Sequence, residues 1–298
     1  MANYMLPSEK QSKRKLLSVL ARPKRLATGV CLVPATPIFE RSLNQRSKRW
    51  LFAFAVVAAL LALSTSSAFS NNSAQTPAPA PPGQPRYETR ANHDPNGTAK
   101  FYMGREIAQV MGAGGMDWLN RPEREQQESP AKVMDALELH SGDVAADVGA
   151  GTGYFTFRMA PVVGPTGKVL AVDIQDEMLN ALRQRAAALN VSNVEVIKAS
   201  ETDPHLPANA VDLVLFVDVY HELSYPFEVM SKVRDSLKPG GRVVFVEYRK
   251  EDPQVPIKEV HKMTVKQLES EMNAVGLVRV RTVETLPLQH IVIFKKRN

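Results

Sequence analysis

The sequence predicts a three-layer α/β fold in which five parallel strands alternate with helices and an antiparallel hairpin closes the C-terminal end. Three observations carry this. Apolar runs at 143–148, 168–173, 193–198, 211–217 and 242–248 alternate with amphipathic stretches at 152–160, 177–189 and 226–237. The stretch Val144-Ala145-Ala146-Asp147-Val148-Gly149-Ala150-Gly151-Thr152-Gly153-Tyr154 sets three glycines at alternate positions between a strand and a helix. Residues 277–284 and 289–295, joined by a short Leu-Pro turn, are too close for anything but an antiparallel pair.

In chain order, residues 1–49 are polar, basic and without sustained periodicity, and are expected to lack a fixed structure. Residues 1–50 carry eleven Lys or Arg against Glu9 and Glu40, a net of +9 in a chain whose total is +6, so the remainder carries −3. The basic character therefore belongs to the tail, and no nucleic-acid partner is expected for the folded part. Arg46-Ser47-Lys48-Arg49, the apolar run Trp50 to Leu63 and then Ser66-Ser67-Ala68 match the basic, hydrophobic and small-residue parts of an export signal. Residues 50–69 are thus expected to be a signal or, uncleaved, a membrane anchor, although a bilayer core needs about 20 apolar residues. The expected location is the cell envelope, exported or single-pass anchored, with the cytoplasm as the alternative. Signals run about 15–30 residues from their start, so translation is expected to begin at a later codon, such as that of Leu43. Residues 70–90 form a Pro-rich linker: 71–85 alone hold five prolines among small polar residues. The lone Cys31 excludes an internal disulfide and a cysteine-built metal site.

A helical cap is expected over 91–141, ending in a helix from about Ser129 with Pro130 in its first turn and Val133, Met134 and Leu137 on one face. The main domain is expected over 142–298. In its second amphipathic stretch Met178, Leu182, Ala186 and Leu189 share a face. Pro226 suits the first turn of the third, and Lys238-Pro239-Gly240-Gly241 ends it. Thr264-x-x-Gln267 reads as a capping box opening a helix that runs to Ala274 and stops at Gly276.

Glycines in a strand–turn–helix let the backbone take positive φ and approach a ligand, while the helix aims unpaired N–H groups at the same place. A dinucleotide site wants G-x-G-x-x-G, but here the third glycine comes one residue early and Tyr154 stands where it is due. This disfavours a dehydrogenase. Asp147-x-Gly149-x-Gly151-x-Gly153 resembles the first motif of the class I S-adenosylmethionine-dependent methyltransferases, whose Rossmann-like sheet has the strand arrangement set out above. The later pattern is similar to the small-molecule enzymes of quinone biosynthesis and arsenite methylation, without the cysteine trio of the latter.

What the resemblance implies is a cofactor site for S-adenosylmethionine at Asp147, Gly149, Gly151, Gly153, Asp173, Ile174, Ser200, Glu201 and Asp218. Asp173, twenty residues after Gly153, would accept the ribose hydroxyls. Asp147 would face the methionine end, its charge favouring a sulfonium and an ammonium. Ser200 stands where the family has an adenine-contacting acid, so that contact falls to Glu201 or to backbone. The loop Asp218-Val219-Tyr220-His221-Glu222 lies where the reacting methyl is placed, with His221 as the candidate catalytic base. Tyr220, Tyr248 and His261 are candidates for binding a small-molecule acceptor. Arg105, Arg121 and Glu125 are candidates on the lid. Metal ligands at a recognisable spacing are absent, and no metal is expected. The competing expectation is an exported, cofactor-binding or degenerate domain without transferase activity, because export removes the fold from the usual supply of methyl donor.

Overall fold

A computed structural model describes residues 85–297. The basic segment, the signal or anchor segment and most of the linker lie outside the described residues. Among those described, no helix is long and apolar enough to cross a membrane.

The described chain begins with strands where a linker and a helical cap were expected. β1 (Tyr87–Thr89), β2 (Gly97–Tyr102) and β3 (Arg105–Ala108) form a three-stranded antiparallel sheet. The physical reason is the two-residue turn at Met103 and Gly104, with φ of 48° and 86°, which sets Tyr102 opposite Arg105. A turn with positive φ at both central residues matches the twist of a hairpin, and glycine at the second position makes it accessible. Only beyond Ala113 does this segment turn helical, with α1 (Met116–Leu119), α2 (Arg124–Glu128) and α3 (Pro130–Leu137).

The main sheet contains β4 (Val144–Val148), β5 (Lys168–Asp173), β6 (Val194–Lys198), β7 (Val211–Val217), β8 (Leu237–Tyr248), β9 (Leu277–Val283) and β10 (Gln289–Lys296). Its order is β6-β5-β4-β7-β8-β10-β9; the first five strands are parallel and β10 runs antiparallel to both neighbours. Between them lie α4 (Thr156–Val163), α5 (Asp176–Ala188), α6 (Pro226–Ser236) and α7 (Val265–Ala274). The α/β sheet and terminal hairpin expected from the sequence are thus present. α4 starts later than its pattern because the glycine turn continues through Gly153 at φ 82°. Half of the capping box forms: Thr264 Oγ1 accepts from Gln267 N at 3.0 Å, whereas the Gln267 side chain turns to Met103 O and Glu271.

Strand alternation splits the core into two layers. Ala146, Val214 and Phe216 pack with Val229, Met230 and Val233 of α6 and with Leu268 and Met272 of α7. Their sequence neighbours Ala145, Leu213 and Leu215 pack on the opposite face with Val133 and Leu137 of α3 and with Met159 and Val163 of α4. Strands buried on both faces read as continuous apolar runs, which is why these strands were visible in the sequence. The chain winds one way from β4 to β5 and β6, and the other way to β7 and β8. A switch point therefore falls between β4 and β7, and a crevice opens beyond their carboxyl ends.

Candidate active site

A cleft of about 340 Å³ occupies that crevice. Its floor is the glycine turn. The amides of Gly149 and Ala150 both donate to Val172 O, at 2.8 and 3.0 Å. Gly149 has φ 72°, and a Cβ there would meet the Val219 side chain at 2.5 Å. Gly151 lines the cleft too, whereas Gly153 packs against Phe157 and Leu182 and does not reach the cleft wall. The first two glycines serve the ligand side of the turn, and the third serves the packing of the helices behind it.

Three carboxylates face this floor. Asp173 Oδ2 accepts from Gly151 N at 2.9 Å and Oδ1 from Gln175 N at 3.0 Å, and burial raises its pKa above the usual value. Asp176, at the start of α5, is engaged outside with Lys198 at 2.8 Å. Asp147 Oδ2 accepts from Thr156 Oγ1 at 2.6 Å; burial pushes its pKa up to about 6 against the opposing pull of that hydrogen bond and of Arg124. Asp218 sits at φ 53°, a left-handed conformation that strains a non-glycine residue. Its Oδ2 accepts from Gln289 Nε2 at 2.6 Å, while its buried Oδ1 has no hydrogen-bond partner. Burial, with Glu128 and Glu247 nearby, holds the Asp218 carboxyl well above the carboxylate range. Ile174, Ser200 and Glu201 complete one rim.

The roof comes from α1 and α2. Glu128 is buried and accepts from Arg121 Nη2 at 2.5 Å, from Arg124 Nε at 2.7 Å and from Tyr248 OH at 3.2 Å. Arg121 lies over the Trp118 ring at 3.5 Å and Arg124 over Tyr154 at 4.1 Å. Thr152 Oγ1 donates to Asn120 Oδ1 at 3.0 Å, tying the roof to the glycine turn. Of the lid candidates, only Arg121 lines the cleft. Glu125 pairs outside with Tyr154 and Arg158, and Arg105 is buried against Glu271, with Nε–Oε1 2.8 Å and Nη2–Oε2 3.0 Å. Arg124 and Glu128 were not singled out from the sequence. Their i,i+4 spacing was the available signal, but it reads equally as an ordinary surface pair.

The acceptor end requires corrections. Residues 220–222 form one 3-10 turn, and of these only Glu222 lines the cleft. Tyr220 is fully buried behind the wall, its OH donating to Glu271 Oε2 at 2.6 Å. His221, the expected base, is likewise buried, with Nδ1 2.6 Å from Glu247 Oε2 and Nε2 3.2 Å from His261 Nδ1. His261 shares that buried position and does not reach the cleft. A 3-10 turn has about three residues per turn, so its three side chains point in three different directions, and here only that of Glu222 reaches the cleft. Burial pushes His221 down to about 4 and His261 down to about 3, and pushes Glu247 up to about 8, so both imidazoles are neutral at pH 7. Tyr248 does line the cleft.

The residues present suit a cationic nucleoside ligand. A Cβ at Gly149 would run into Val219 of the cleft wall, the Asp147 and Asp173 carboxyl groups offer acceptors for hydroxyl and ammonium groups, and the orphaned Asp218 Oδ1 is an unmet polar group on the wall.

Residues 139–290, just over half of the chain, match the family model described as a methyltransferase domain. The chain is 33% identical over 119 residues to the ubiquinone/menaquinone biosynthesis C-methyltransferase UbiE of Ectopseudomonas mendocina, covering 40% of this chain and 46% of that protein. Identity to the protein of the same name from Pseudomonas fluorescens is also 33% over 119 residues, covering 39% and 46%. The chain thus spans about half the length of the curated relatives it matches. Among solved structures, an Aquifex aeolicus SAM-dependent methyltransferase superposes with a TM-score of 0.59 at 27% identity, covering 62% of this chain and 98% of that one.

Proposed function

The chain belongs to the class I methyltransferase domain family, and from that premise we propose that it transfers a methyl group from S-adenosylmethionine to a small-molecule acceptor. The observation that carries this reading is the set of three buried aspartic side chains, Asp147, Asp173 and Asp218, around a positive-φ glycine turn at the sheet's switch point. The cofactor, when bound, supplies a methyl carbon activated by positive sulfur. The protein's part is to hold, align and dry the site. Asp173 has oxygens for the ribose hydroxyls, and Asp147, once ionised, offers a charge to the methionine ammonium. Trp118, Leu119 and Arg121 cover the cleft and exclude water. Tyr248 and Glu222 also line the cleft, as do Val110, Met111 and Leu223, whose side chains are apolar. Those walls, and the C-methyltransferase relatives, support an apolar small-molecule acceptor.

Calorimetric titration of S-adenosylmethionine and S-adenosylhomocysteine into the full chain tests the reading. Micromolar binding that Asp173→Ala abolishes supports it. Absence of binding to folded wild type favours the degenerate-domain alternative.

The location proposed is the cell envelope, supported by the basic flank and apolar run at residues 46–69, with membrane association through 50–69 if the segment is retained. Fractionation of cells, with mass spectrometry of the mature N-terminus, checks this; recovery of the whole chain from the cytoplasm would overturn it.

A further inference from the structure

Behind the acceptor wall, three side chains from two separate 3-10 turns converge. His221 and Glu222 come from the turn after β7, and His261 from the turn at Glu259–His261. All three are buried, and one ligand atom from each lies within 4.8 Å of the others. His221 Nε2 is 3.2 Å from His261 Nδ1 and 3.9 Å from Glu222 Oε1, and His261 Nδ1 is 3.7 Å from the same oxygen. We propose that His221, His261 and Glu222 form a binding site for a divalent first-row transition ion of the zinc class.

The geometry supports this in three ways. Around a tetrahedral ion with bonds of about 2.0–2.1 Å, donor atoms stand roughly 3.3 Å apart. The two imidazole nitrogens already meet that spacing, and the carboxylate oxygen reaches it by moving a few tenths of an ångström, within the freedom of a Glu side chain. Next, His221 Nδ1 lies 2.6 Å from Glu247 Oε2: with the Glu247 proton released as an ion binds and Nδ1 carrying the ring proton, this is the carboxylate–histidine arrangement that fixes a ligating ring and turns the lone pair of its other nitrogen toward a metal. Glu247 is itself fixed by the Tyr220 amide at 3.0 Å. Finally, two imidazoles and one carboxylate are a donor set suited to zinc, iron or nickel rather than to magnesium or calcium. Without an ion, the ring-to-ring contact is a hydrogen bond between two neutral histidines.

The site does not depend on methyl transfer. It adjoins that chemistry only through Glu222, whose Oε2 accepts from Met111 N at 3.3 Å and whose side chain also lines the cleft. An ion there would fix this stretch of the acceptor wall.

The test uses the untagged full chain, stripped with a chelator and titrated with zinc chloride or cobalt chloride, without cofactor. Expected are a visible cobalt absorption band that saturates at one equivalent, its displacement by zinc, and a rise in Tm with zinc but not with magnesium. His221→Gln and His261→Gln are expected to lose the band, while His205→Gln, on the surface, keeps it. Glu247→Gln is expected to weaken zinc binding about 10- to 100-fold. Should the histidine variants fail to fold, X-ray absorption on zinc-loaded wild type decides: a shell with two imidazole nitrogens supports the site. A shell of oxygen alone or one containing sulfur, no saturation at one equivalent, or a band surviving in both histidine variants would overturn it.

Discussion

The two ends of the cleft are built in opposite ways. At the cofactor end, the contacts are made by neighbours in sequence: Asp147 to Thr156, Gly151 to Asp173 and Asp173 to Gln175 span 9, 22 and 2 residues. Behind the acceptor wall, Arg105 meets Glu271 across 166 residues, and under the roof Tyr248 meets Glu128 across 120. The cofactor end is a local structure whose residues can serve a ligand without holding the domain together. The acceptor end is a set of long-range polar ties that hold layers of the fold to one another. Substitutions at the first should therefore register mainly in binding, and at the second mainly in stability.

The largest effect belongs to the acceptor end. Arg105→Ala leaves Glu271 as a buried charge without its cation, and is expected to lower unfolding stability by about 3–5 kcal/mol in denaturant titration. A cost comparable to that of a surface pair would break the comparison.

Asp147 gives a pH signature at the cofactor end. Its pKa is raised from 3.8 to about 6, so between these values the folded protein keeps a proton that the unfolded chain has released. Stability contributed by this group is present below about pH 4 and falls as pH rises through about 6, by at most about 3 kcal/mol. Asp147→Asn should flatten that part of the profile. Affinity for a cationic cofactor should run the other way, rising up to tenfold per pH unit until the carboxylate is ionised. An affinity independent of pH across this window would remove Asp147 from the cofactor.

Gly149→Ala combines a strained left-handed φ with a close approach to Val219. It should cost about 1–3 kcal/mol in stability and at least tenfold in cofactor affinity by calorimetry. Unchanged affinity in the folded variant would show that the glycine serves packing, as Gly153 does. The smallest effect is expected at Lys168→Ala, whose exposed pair with Glu195 is worth less than about 0.5 kcal/mol, with no change in binding.

The same contrast explains what could be read in advance. The sheet was legible because strands buried on both faces are continuous apolar runs, and the cofactor end because three glycines and Asp173 lie within twenty-five residues. The β2–β3 hairpin was missed because its turn, Met103-Gly104, carries one glycine and no Asn or Asp. His221 was chosen because a histidine after β7 is near the site in sequence. Which residue of a 3-10 turn faces the cleft depends on Glu247 and His261, which sequence proximity does not reveal. Arg124 and Glu128 were hidden for the same reason, since burial by Tyr248 makes an ordinary helix pair part of a roof.

The placement of β10 bears on how the domain is assembled. This strand lies between β8 and β9 but is synthesised after both. Until it inserts, β9 has no strand to pair with, and the apolar edge of β8 from Val243 to Val246 stands open. A nascent chain at that stage presents an unpaired strand able to pair with another copy, and Asp218 still lacks Gln289. Insertion of one late strand thus seals the sheet against self-association and anchors the strained Asp218 in the same step.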